Sequence, residues 1–184
     1  ISWQEQTVLF NELPELNRDM CLFKVNTGCR EQEVCKLRWD WLVRWDDDIW
    51  YFDIPGEFVK NRLRRVVVLN DIAKSVIQKQ MGSHLEFVFV YRGHPVSRMN
   101  DSAFRNARAR VAEKLPNIKN ASIHSLKHTY GARLRVAGVP EEDRNFLTGH
   151  KGRESMTSYY SAPELNKMLE YSNRVCQQND NLVL

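Results

Sequence analysis

The hydrophobic pattern of this chain changes period in one block, and that block limits the folds open to it. From Trp3 to Leu37 apolar residues recur at helical spacing. From Trp41 to Leu69 they fall in short runs rich in aromatic and β-branched residues. From Asn70 onward the helical spacing returns. Side chains recur on one face every 3.6 residues in a helix and every second residue in a strand, so the two patterns are not interchangeable. A strand block set between helical blocks predicts an α+β fold, mainly α-helical with a small antiparallel β-sheet.

The predicted elements follow from that pattern. Helices are expected over Trp3–Glu12, Leu16–Val25 and Arg30–Leu37, with Thr27-Gly28 as the break before the third. Strands are expected over Trp41–Trp45, Ile49–Ile54 and Arg64–Leu69, with Asp46-Asp47-Asp48 as a turn and Pro55–Leu63 as a loop. Asn70-Asp71 caps a helix running to about Met81. Phe87–Tyr91 reads as a strand or a buried loop, and Arg92–Ser97 as a turn. The remainder is helical: Asp101–Leu115, Ser125–Ala137, Glu141–Leu147, a short piece before Tyr160, and Ala162–Cys176. Ser161 and Glu164 form a capping-box pattern at the start of the last.

Composition narrows the class further. With 184 residues and 42% hydrophobic content, the chain has enough material for one ordinary core. A net charge of +4 is compatible with nucleic acid but common among other small domains. The four cysteines, Cys21, Cys29, Cys35 and Cys176, show no CxxC pair, which argues against a structural zinc and for reduced thiols. No apolar run reaches membrane-spanning length. The chain opens at Ile1 within a polar–apolar pattern, so residues 1–184 are expected to be a single domain from a longer protein, with 177–184 as its tail.

The residues with chemical potential lie mostly between His124 and Tyr160. On a helix starting at Ser125, Leu126, Tyr130, Leu134 and Ala137 make a core stripe, and Lys127, His128 and Gly131 lie on the arc beside it. His124 at the helix start and Lys127 one turn on point to one spot near a helix N-terminus, a natural place for a phosphate. Read alone, His124 and His128 are equally ordinary helix-end residues. Their spacing matches a zinc-binding pair, but Ser125 stands where HExxH has its glutamate. Gly149-His150 and the Tyr159-Tyr160 pair each mean little alone. Arg30 has a planar fork suited to two phosphate oxygens, and Glu33, one turn on, is placed to hold it. The run Lys60-Asn61-Arg62, followed by Arg64-Arg65, is either a solvated hairpin tip or a segment that enters a DNA groove.

In order along the chain, these segments resemble the catalytic domain of tyrosine recombinases, the phage integrase family. Thr27-Gly28-Cys29-Arg30-Glu31-Gln32-Glu33 is similar to the family's TGxRxxE box, and Val59-Lys60-Asn61 to its TKN-like hairpin segment. His124-Ser125-Leu126-Lys127-His128-Thr129 resembles HxLRHT, and Leu147-Thr148-Gly149-His150 resembles the LGH box with one extra residue. Ser161-Ala162-Pro163-Glu164-Leu165 is similar to the segment that follows the nucleophile in many phage members.

The resemblance implies the family's catalytic-domain fold and site-specific DNA recombination through a 3′-phosphotyrosyl intermediate. It assigns catalytic roles to Arg30, Lys60, His124, Lys127, His150 and Tyr160. Met156–Ser161 aligns best with Tyr160 as nucleophile, whereas counting from His150 points to Tyr159. It implies no cofactor and no metal. The partners it implies are double-stranded DNA and further protomers, four in the synaptic complex, with no membrane and a place in the cytoplasm at the nucleoid of a bacterial host. It also implies an upstream core-binding domain outside this sequence, and a C-terminal segment, here ending Leu182-Val183-Leu184, that packs on a neighbouring protomer. The departure is Lys127, where the family has a second arginine. Losing one preorganised donor costs roughly 100-fold to 1000-fold in rate. The alternative reading is therefore a DNA-binding relative with impaired or lost cleavage.

Overall fold

The computed structural model describes residues 1–150 and 162–176. The expected short helix before Tyr160, both candidate tyrosines, Ser161 of the capping box and the tail from residue 177 lie outside the described residues. The helices are α1 (Trp3–Asn11), α2 (Glu15–Thr27), α3 (Glu31–Cys35), α4 (Asp71–Gln80), α5 (Asp101–Ala112), α6 (Ser125–Val136), α7 (Glu141–Thr148) and α8 (Ala162–Asn173). One three-stranded antiparallel sheet has the order β1 (Leu42–Arg44), β2 (Trp50–Ile54), β3 (Arg65–Val68). The architecture is mainly helical with a small antiparallel sheet, as the pattern predicts.

Each expected strand is shorter than its apolar run. Trp39–Trp41 forms a 3-10 turn, which delays β1 to Leu42. Arg92–Ser97, expected as a turn, contains β5 (His94–Pro95), which pairs with β4 (Val90–Tyr91). β4 lies within Phe87–Tyr91, expected as a strand or a buried loop, whereas the two residues of β5 carry no periodicity to announce them.

The sheet is covered on both faces, which is why its strands read as nearly continuous apolar runs. Trp50, Phe52, Ile54 and Val67 join one apolar cluster with α2, α4 and α5, whereas Tyr51, Val66 and Val68 join a second with Tyr130, Leu134, Leu147 and Met168. The register pairs Tyr51 with Val68 and Phe52 with Val67, so the alternation of one strand matches that of its neighbour. Helix α2 is buried along most of its length and packs on α4 and α6. Its C-terminus, the start of α6 and the end of α7 therefore meet beside β3.

Candidate active site

Two helix ends and one helix start build the site. Helix α2 stops at Thr27 because Gly28 takes a left-handed conformation (φ 63°) and donates its N–H to the Lys24 carbonyl. The site also needs glycine for space, since a Cβ at Gly28 would lie 2.8 Å from Cδ1 of buried Tyr130. Two residues later Arg30 is the extended N-cap of α3. Its backbone N–H donates to Glu33 Oε2 at 2.7 Å and its Nη1 to Glu33 Oε1 at 3.0 Å. The three-residue spacing is thus a helix-capping geometry that orients a guanidinium. The remaining donors of Arg30 have no partner among the described residues, and the side chain is half-buried.

Arg65 completes this part of the site, and sequence reasoning missed it. The sequence places it in the hairpin charge run, expected as a solvated tip or a segment that enters a DNA groove, yet it is 3% exposed. Its Nη1 donates to Glu33 Oε2 in an ion pair, and its Nη2 donates to the Thr27 carbonyl at 3.3 Å. Its Nε finds no partner among the described residues and faces Gly149. Strand parity alone does not announce it, because Arg65 is in phase with buried Val67 and Leu69 but Arg64 is in phase with equally buried Val66 and Val68. Its neighbour Arg64 points the other way and pairs with Asp53.

On the other side, α6 begins with His124 as N-cap. The Ser122 and Ser125 hydroxyls each accept the other residue's backbone N–H, at 3.2 and 3.1 Å, which fixes the helix start. His124 Nε2 lies 3.1 Å from His128 Nε2, with the rings nearly perpendicular. Lys127 is 5% exposed. Its Nζ donates to the Gly28 carbonyl at 2.8 Å and to the Thr148 carbonyl, tying the start of α6 to the ends of α2 and α7. Two of its three donors are thus committed to backbone carbonyls.

Helix α7 ends at Gly149, again left-handed (φ 64°), where a Cβ would lie 2.7 Å from Arg65 Nε. The His150 backbone N–H reaches back to the Asn145 carbonyl, and its Nδ1 lies 2.8 Å from Thr148 Oγ1. The hydrogen-bonded cluster therefore unites Arg30, Glu33, Arg65 and, through Gly28 and Thr148, Lys127 and His150. Lys60 is not part of it: it stands exposed on the loop between β2 and β3, with no bond among the described residues. Tyr160 and Tyr159 lie outside the described residues.

The electrostatics follow from this crowding. Burial alone would raise the Glu33 carboxyl, but Arg65 and the Arg30 backbone and side chain outweigh it and hold it below the usual range. Burial, followed by the charges of Arg65 and Arg30, brings Lys127 down to about 7. Burial lowers His124, with His128 and the nearby cations adding to it. His150 is lowered by burial and then by Lys127, Arg30 and Arg65. The imidazoles are thus mainly neutral at pH 7, able to take or give a proton, beside guanidinium donors that suit charge building on phosphoryl oxygens. Among the described residues no group of three or more His, Cys, Asp or Glu is arranged to hold a metal ion, and no helix is long and apolar enough to cross a membrane.

Known proteins share this arrangement of elements. The family model described as "Phage integrase family" matches residues 5–166. The chain is 29% identical over 178 residues to the integrase of Salmonella phage P22, covering 91% of this chain and 44% of that one. It is 25% identical over 164 residues to transposase B from transposon PsiTn554 of Staphylococcus aureus, covering 82% of this chain and 25% of that one. It therefore spans less than half the length of these relatives. Among solved structures, it is similar to the XerH site-specific recombinase bound to difH substrate in a pre-cleavage complex. The TM-score is 0.58 at 14% identity, over 92% of this chain and 48% of that one. The post-cleavage XerH complex with palindromic difH gives a TM-score of 0.59 at 15% identity, over 92% and 46%. At such identities the likeness shows the fold, which is that of tyrosine recombinase catalytic domains.

Proposed function

Because this chain belongs to the phage integrase family, we propose that it is the catalytic domain of a site-specific recombinase that cuts and rejoins double-stranded DNA through a tyrosine. In this reading the Tyr160 oxygen attacks a scissile phosphate. A phosphorus–oxygen bond to the tyrosine forms, the bond to the 5′-oxygen breaks, and a 3′-phosphotyrosyl link results. The phenolic proton passes to His124, and Lys60 protonates the departing 5′-oxygen. Attack by a 5′-hydroxyl reverses each transfer and restores the phosphodiester, so no external energy source enters. Arg30 offers its free donors to the phosphate, with His150 and Lys127 adding to the stabilisation of the five-coordinate state.

The observation that carries this reading is the Arg30–Glu33–Arg65 cluster joined, through the Gly28 and Thr148 carbonyls and the Thr148 hydroxyl, to Lys127 and His150. Glu33 spends its charge holding two guanidiniums in place, which leaves the outer face of Arg30 cationic and oriented. Double-stranded DNA as partner is supported by the substrate complexes of XerH. The multimeric assembly is proposed from the family resemblance alone.

A second reading, binding with impaired cleavage, is favoured by one observation: the Lys127 ammonium is buried and bonded to two carbonyls. Covalent trapping on a nicked suicide duplex separates the two. The expected result is an adduct that maps to Tyr160, is lost in Tyr160→Phe and persists in Tyr159→Phe. An adduct that forms only after Lys127→Arg supports the second reading. An adduct in neither protein, with DNA bound, sinks the catalytic assignment.

A further inference from the structure

A cavity of about 320 Å³ opens between α6 and α7, beside the candidate active site. Lys127 and His150 line its inner end, and His128, Arg135, Arg144 and Asn145 extend it along the two helices. No carboxylate lines it among the described residues. Arg135 is exposed and Arg144 half-buried, and neither guanidinium has an ion pair or hydrogen bond among the described residues. The other arginines near the site each have a side-chain partner: Glu33 for Arg30 and Arg65, Asp53 for Arg64, and Gln6 with the Trp3 ring for Arg133. Two guanidiniums without a partner among the described residues, facing one concave space with the His128 imidazole and the Asn145 amide as further donors, form a site for an oxyanion.

We propose that Arg135 and Arg144, with His128, hold a second DNA phosphate, on the same strand as the scissile one. The inference deepens the recombinase reading and rests on it. Lys127 and Arg135 are eight residues apart on one helix, about 12 Å along its axis. Phosphates of one strand recur about every 3.4 Å of duplex axis. The cavity therefore has length for a phosphate beyond the one at Arg30. Contact there sets the strand's register and leaves the reacting phosphate itself untouched, so these are positioning residues.

The test is fluorescence anisotropy of the protein with a labelled duplex over a series of NaCl concentrations. Wild type, an Arg135→Gln/Arg144→Gln double variant and an Arg135→Lys/Arg144→Lys double variant are compared. Loss of one phosphate contact lowers the slope of log affinity against log salt by about 0.9. The glutamine pair is expected to show that loss with several-fold weaker binding at low salt, and the lysine pair to retain the wild-type slope. Equal slopes for wild type and the glutamine pair overturn the proposal, as does weaker binding at an unchanged slope. The same unchanged slope together with lost self-association in sedimentation also overturns it, and assigns the pocket to carboxylates of a second copy. Absence of salt-dependent DNA binding by wild type overturns the recombinase reading itself, a result distinct from the others.

Discussion

The two halves of the candidate site hold their positive charge in different ways. On the α3–β3 side, the Arg30 and Arg65 guanidiniums share one buried carboxylate, so charge is matched by charge. On the α6–α7 side, the Lys127 ammonium is held by carbonyl oxygens of Gly28 and Thr148, with no carboxylate in contact among the described residues. Carbonyl dipoles solvate an ammonium only partly, and burial then lowers its affinity for a proton. A guanidinium remains charged under the same burial. The first half therefore sets a carboxylate against its guanidiniums, whereas the charge of the second depends on pH. The difference teaches that replacing arginine by lysine at a buried position changes the persistence of charge as well as the geometry of the donors.

Removing the carboxylate should break the first half with the largest effect. Glu33→Ala leaves two guanidiniums facing each other without compensation, one of them 3% exposed. Breaking a buried pair by deleting one partner costs about 3–5 kcal/mol. Urea unfolding should show that loss, and covalent trapping on DNA should fail because Arg30 no longer has an orienting partner. A loss under about 1 kcal/mol, in the range of surface pairs, would mean that solvent already screens the cluster.

The junction between the halves is probed at Gly149. Alanine there must adopt a positive φ and meet the Arg65 guanidinium at 2.7–2.8 Å. A non-glycine residue held left-handed costs of order 1–3 kcal/mol, and the Arg65 displacement adds to it. Gly131 supplies the control, because its added Cβ would lie 3.6 Å from Thr148 Cγ2, an ordinary contact. Gly131→Ala should be neutral or stabilise α6 by up to about 1 kcal/mol. Thermal melts of the two variants that coincide would remove the argument that close approach to Arg65 requires glycine.

How far the sequence reaches differs between the halves for a physical reason. The Arg30–Glu33 relation is local, a capping geometry three residues long, and residue spacing reveals it. The block of strands is legible because aromatic and β-branched residues concentrate there. Arg65 was overlooked because its partner is 32 residues away and both faces of its strand are buried, so parity does not distinguish it from Arg64. The Lys127 acceptors are backbone atoms 99 and 21 residues distant, and no side-chain pattern encodes a carbonyl. Its identity was plain from the chain, but its commitment to backbone was not. The pairing of His124 with His128 follows from their i,i+4 spacing, whereas the cavity next to them depends on how α6 and α7 cross.

The pH response of Lys127 sharpens the contrast between the halves and carries the smallest effect, about tenfold per pH unit. Its proton affinity falls to about 7 from the ordinary 10.5. Between those values the unfolded chain binds more protons at this site than the folded one, so folding stability gains as pH rises from about 7 toward 10.5. The charged form, the one useful to a phosphate, declines over the same interval. Stability and single-turnover adduct formation should therefore move in opposite directions above pH 7, with the rate falling as the ammonium is lost. Lys127→Arg keeps its charge and should give a rate that is flat on the alkaline side. Lys127→Met removes the titrating group and should abolish this site's share of the stability gain in thermal melts. A wild-type rate that stays level from pH 7 to 9 would show that bound phosphate restores the proton, and would place Lys127 on the same footing as the guanidiniums opposite.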